Sequence, residues 1–116
     1  MATRDVLRAA KAFVEQGWTQ GVSARDAEGY PVGATYASAT QFCVVGALER
    51  ATMGDPLGYR RACDAQMYMR IALEERTHID SPSVSNYNDK ANRTKAEILS
   101  LFDEAILVAE KDGADK

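Results

Sequence analysis

The stretch FCVVGALERATM, residues 42–53, constrains this chain more than any other. Wound as a helix, its first turns carry apolar side chains around almost the whole circumference, and such a helix must be covered on all sides. It predicts a central buried helix with other helices around it. Gly46 inside it costs about 1 kcal/mol relative to alanine. The reason that fits is packing, because a missing side chain lets another backbone approach closely. Ser38 and Gln41 in SATQ match a capping box, so the helix is expected to open at Ser38 and to close at Gly54.

Three further helices can do the covering. Leu7, Ala10, Val14 and Trp18 recur at helical spacing near the N-terminus, Phe13 widens the stripe, and Thr3 or Asp5 can serve its first turn. Gly17 and Gly21 mark its end. Asp55 as cap and Pro56 as first helical residue open a third helix reaching about Arg76. Ala62, Ala65, Met69 and Ala72 form one stripe on it, and Cys63, Met67 and Ile71 form a second beside it. Thr94 and Glu97 make another capping box, and the last helix follows with Ile98, Leu101, Phe102, Ala105 and Ala109 at core spacing. Between the first two helices, DAEG separates VSAR from YPV and signals a short β-hairpin, with Pro31 holding its second strand to an edge. Residues 77–92 are polar and read as one long loop, a kind often functional in small domains. The fold class is mainly α: one domain over residues 1–116, a bundle of about four helices, and a frayed tail from about residue 111.

Composition narrows the function classes. Formal net charge is −3, a poor match for a general nucleic-acid binder, which needs clustered Lys and Arg. Arg4, Arg8 and Lys11 make one basic stripe and Arg60, Arg61 and Arg70 another; such stripes are routine on solvated faces. Cys43 and Cys63 stand twenty positions apart, and with His78 as the one histidine no zinc spacing arises. Both cysteines read as free thiols in a reducing compartment. No apolar run approaches a membrane span and the N-terminus does not resemble a secretory leader, so a cytoplasmic location is expected. Phosphate-loop, G-x-S-x-G, H-E-x-x-H and dinucleotide signatures do not occur. No metal and no cofactor is expected.

Individual residues carry competing roles. Cys43, flanked by Phe42 and Val44, reads as a small buried hydrophobe before it reads as a nucleophile. His78 is followed by Asp80 two positions on, in a loop where a histidine is commonly just exposed. Asn88 and Asp89 can bond their own backbone as Asx turns. They can instead line a pocket with Trp18, His78 and Tyr87, which makes these five the ligand-binding candidates. Trp18 also suits an anchor for the hairpin. Arg60, Arg61, Tyr68 and Arg70 are the partner-interface candidates.

The order GWTQG, DAEG, ATQFCVVGALERA, YND, then Thr94 before EILSLFDEAI resembles a family of small proteins, a domain of unknown function, found in bacteria and their phages. The matching positions are Trp18, Gly21, Asp26, Gly29, Cys43, Gly46, Ala47, Leu48, Asn88, Asp89 and Thr94. Tyr87 departs from the tryptophan usual before the Asn-Asp pair. The resemblance implies one domain of bacterial or phage type and transfers no activity. The expectation is a non-enzymatic protein-binding or regulatory protein acting through a protein partner, in one specific form an inhibitor of a host defence complex such as an anti-CRISPR. The alternative is a small-molecule binder or unusual enzyme with a pocket around Trp18, His78, Tyr87, Asn88 and Asp89.

Overall fold

The computed structural model describes residues 2–113. Among them run α1 (Thr3–Gln16), β1 (Ala24–Arg25), β2 (Pro31–Val32), β3 (Gln41–Phe42), α2 (Val44–Ala51), α3 (Gly58–Thr77), α4 (Val84–Asp89) and α5 (Lys95–Lys111). The architecture is mainly helical, as expected, with one more helix and one more strand than the sequence announced.

The core follows the apolar periodicity. Val6, Leu7, Ala10 and Val14 of α1 are buried, and α1 packs against α2, α3 and α5. Asp5 accepts from the Ala2 backbone N–H and so serves the first turn of α1. Helix α5 contributes Ile98, Leu101, Phe102, Ala105 and Ala109, and its first turn is closed by the reciprocal Thr94–Glu97 box. Helix α2 contributes Val44, Ala47 and Leu48 but is only eight residues long and leaves Glu49 at the surface.

The hairpin forms around Asp26. Its Oδ1 accepts from the backbone N–H of Glu28 and of Tyr30, and Gly29 takes φ 89°, which an L side chain resists. Strand β1 then pairs antiparallel with β2 (Ala24 opposite Val32) and with β3 (Ala24 opposite Phe42), giving the order β2-β1-β3. Pro31 lies on the edge strand.

Four expectations are corrected. Helix α2 does not open at Ser38, which sits in a turn. Residues 40–42 are extended because backbone bonds hold them from two sides. Thr40 N–H donates to Arg25, Phe42 N–H donates to Gly17, and the Phe42 carbonyl accepts from Thr19. These long-range bonds outweigh a local capping signal worth about 1 kcal/mol. Asp55 does not cap α3 directly: its Oδ1 accepts from Leu57 N–H in a turn, and the helix begins at Gly58. The polar run 77–92 contains α4, capped by Ser83. On α3, Ala65, Met69 and Ala72 are buried as expected, but Cys63, Met67 and Ile71 are exposed, and Tyr68 and Leu73 enter the core instead.

Candidate functional site

Gly46 provides the first positioning contact. A Cβ there would lie 2.0 Å from the Ser23 carbonyl oxygen, so α2 presses directly on the chain entering β1. Cys43 N–H donates to the same carbonyl at 3.0 Å. The Cys43 side chain is the N-cap of α2, its sulfur accepting from Gly46 N–H. Burial pushes the Cys43 thiol up from its ordinary value, more than the backbone N–H groups of Gly46 and Val45 pull it down, which disfavours the thiolate.

Helix α4 is fixed on this frame by Asn88, which is 1% exposed. The Asn88 Oδ1 accepts from Trp18 Nε1 at 2.9 Å and from Val44 N–H at 3.2 Å. Its Nδ2 donates to the Thr19 carbonyl at 3.1 Å and to Asp89 Oδ1 at 2.8 Å. Two acceptances and two donations use the full capacity of an amide side chain. Asp89 Oδ1 also accepts from Gly21 N–H, and Gln20 Nε2 donates to the carbonyls of Asn88 and Lys90. Segment 18–21 and α4 are thereby stitched together by side chains reaching each other's backbone. Trp18 lies beyond the end of α1, bridges Phe42, and meets α4 through its indole nitrogen.

Tyr87 faces another direction. Arg93 lies 3.5 Å over its ring and donates from Nε to its carbonyl, while Arg76 donates to its hydroxyl at 3.0 Å. Arg76 continues to the Glu97 carbonyl, Ser100 and Glu104, tying α3 to α5, and Arg93 pairs with Glu97 at 2.6 Å. His78 is the left-handed C-cap of α3 (φ 59°) and lines a broad groove with Ile71, Glu74, Glu75, Ile79 and Asp80. Of the five ligand-binding candidates, the structure therefore joins Trp18, Asn88 and Asp89 in one network. It turns Tyr87 toward Arg76 and Arg93, and it places His78 on the groove beside α3.

The partner-interface candidates also separate. Tyr68 is 5% exposed with its hydroxyl donating to Asp112, so it belongs to the core. Arg61 pairs with Asp55 at 3.0 Å, whereas Arg60 is exposed and Arg70 borders a small groove with Met67, Ile71 and Pro82. Arg8 meets Glu110 at 3.4 Å and Lys11 meets Asp103 at 2.7 Å, which neutralises two members of the basic stripe on α1. Among the described residues, no three His, Cys, Asp or Glu side chains are placed to hold a metal ion, and no helix is long and apolar enough to cross a membrane.

Sequence alone did not indicate Gln20, Arg76 or Arg93. Their only signal was a long donor side chain near a helix end or beside a turn, a common occurrence.

A short three-stranded sheet whose strand β3 packs against α1 and α2, with an Asn-Asp pair latching α4 onto segment 18–21 and the start of α2, defines a small mainly helical protein domain. The chain belongs to a family of unknown function, DUF6197, whose model matches residues 1–107. No curated protein and no solved structure matches it.

Proposed function

We propose that this protein works by binding another protein through the outer face of α3 and the segment that follows it. The observation that carries the proposal is the apolar stripe that the chain leaves uncovered. Met67 is 39% exposed, Ile71 36% and Ile79 59%. They border two adjoining grooves that share Ile71 and Glu74, one of about 820 Å³ and one of about 230 Å³. Isolated exposed apolar residues are ordinary on a protein surface; several around one concavity mark an interaction face.

Charge specifies the partner. Glu74, Glu75 and Asp80 rim the larger groove, and among the described residues none of the three makes an ion pair. The face suits a segment that presents apolar side chains flanked by Lys or Arg, laid along α3. The specific form of this function, antagonism of a host defence complex such as an anti-CRISPR protein exerts, is supported by small size, net acidity and the resemblance to a bacterial and phage family.

The test is a photo-crosslinking residue at position 71, used in bacterial lysate. A discrete adduct is expected, weakened by salt and lost when the crosslinker at position 71 is combined with Met67→Arg and Ile79→Arg, changes at two exposed positions that leave circular dichroism unchanged. The same adduct in the double variant, or adducts equally frequent from position 30, overturns the proposal.

A further inference from the structure

A separate cavity of about 300 Å³ lies between the end of α3, segment 79–83 and α4. It shares Ile79 with the larger groove and Pro82 with the smaller one, but its other lining residues belong to neither. Its walls are apolar: Leu73 and Pro82 are buried, Ile79 closes one side, and the Tyr87 ring closes another. This volume falls at the small end of the range for small-molecule pockets, which combine an apolar lining with a few polar groups.

The charged groups that line it are of one sign, beside the neutral Thr77, Ser83 and Asn86. No carboxylate lines the cavity, while Lys90 and Arg93 both do. Arg93 is already engaged, stacked on Tyr87 and paired with Glu97. Lys90 is exposed, and among the described residues its ammonium makes no ion pair. Ser83 accepts from Asn86 N–H through its oxygen, which leaves its hydroxyl proton for another acceptor.

We propose that the cavity between Leu73, Pro82 and Tyr87 binds a small organic acid, its apolar body between these walls and its carboxylate between Lys90 and the Ser83 hydroxyl. One uncompensated cation at the mouth selects a monoanion over neutral or cationic analogues. The cavity volume selects a body of about one ring or a short chain.

Three probes with similar bodies and different charges test this: phenylacetate, phenylacetamide and phenethylamine, titrated into the full chain and followed by backbone amide chemical shifts. Phenylacetate is expected to shift amides of residues 73–93 saturably, the amide more weakly, and the amine not at all. Lys90→Glu should weaken phenylacetate at least about tenfold, as reversal of one charge near a surface carboxylate implies, while Lys90→Arg retains it. Among the described residues the Lys90 ammonium makes no hydrogen bond or ion pair, so neither variant is expected to disturb folding. Absence of saturable shifts at millimolar phenylacetate, equal response to all three probes, or undiminished affinity in Lys90→Glu overturns the assignment.

Discussion

The indole nitrogen of Trp18 donates to the side-chain oxygen of Asn88 at 2.9 Å, across 70 positions of sequence. The same oxygen takes the first backbone N–H of α2 from Val44. One amide thus joins the end of the α1 region, the start of α2 and the short helix α4. Its burial makes each of these bonds costly to lose, because the partner is left unpaired away from water.

Asn88→Ala is expected to destabilise the fold by about 2–4 kcal/mol, since Trp18 Nε1 and Val44 N–H lose their acceptor together. Asn88→Asp keeps the acceptor but sets a carboxylate oxygen against the Thr19 carbonyl and Asp89, so it should be no milder. Urea unfolding followed by the fluorescence of Trp18, the one tryptophan, measures both. Wild-type midpoints in both variants would remove Asn88 from its structural role.

Gly46→Ala should destabilise by at least about 2 kcal/mol despite alanine's higher helix propensity of about 1 kcal/mol, because the new methyl meets a backbone oxygen that cannot rotate away. Gly21→Ala provides the contrast. Space is open there, and φ of +83° alone sets a penalty of about 1–2 kcal/mol. Thermal melts of the pair should rank Gly46→Ala as the less stable; the reverse order would contradict the close approach to Ser23.

The two cysteines should differ in reactivity. Cys63 is exposed on α3, whereas the Cys43 sulfur is an N-cap with its thiol pKa raised by burial. Cys43 is partly buried, so iodoacetamide at neutral pH is expected to modify Cys63 readily and Cys43 more slowly. Cys43→Ser, which keeps a capping oxygen, should leave the fold intact. Rapid modification of Cys43 in the native protein would instead point to an activated thiolate.

Acid stability should depend on Glu97. The Thr94 backbone N–H, followed by Arg93 and the Thr94 hydroxyl, holds its carboxyl below the ordinary value of 4.5. A depressed folded pKa contributes stability that is present above the unfolded value and lost as pH falls through the folded one. The contribution therefore begins to fall at about pH 4.5 and is gone below the depressed folded value, and Glu97→Gln should flatten that part of the stability profile. An unchanged acid limb in Glu97→Gln denatured at a series of pH values would rule this out.

What the sequence made legible was local. The stripes of α1 and α5, the Thr94–Glu97 box and the turn at Asp26 each involve residues a few positions apart, so pattern and capping chemistry suffice to place them. Strand β3 was hidden because its partners, Arg25 and Gly17, act across distances that no local window contains. Helix α4 was hidden for a related reason: six residues show no period, and what holds them is the contact of Asn88 and Asp89 with segment 18–21. On α3 the two apolar stripes were chemically alike, and only the position of the other helices decides that Met69 is core and Met67 is surface. The Tyr87-Asn88-Asp89 run could be read as chemically distinctive, but its division into a buried latch at Asn88 and a cavity wall at Tyr87 depends on which neighbours each side chain meets.

The Trp18–Asn88 bond also orders events in time. On the ribosome, the segment after α1 is made long before residue 88 exists, so its indole and the first turn of α2 wait without their acceptor. Closing so wide a loop is entropically slow compared with forming any one helix. Acquisition of the native shape during synthesis is therefore expected to be a late step, waiting both for Asn88 and for the core residues of α5 that follow it.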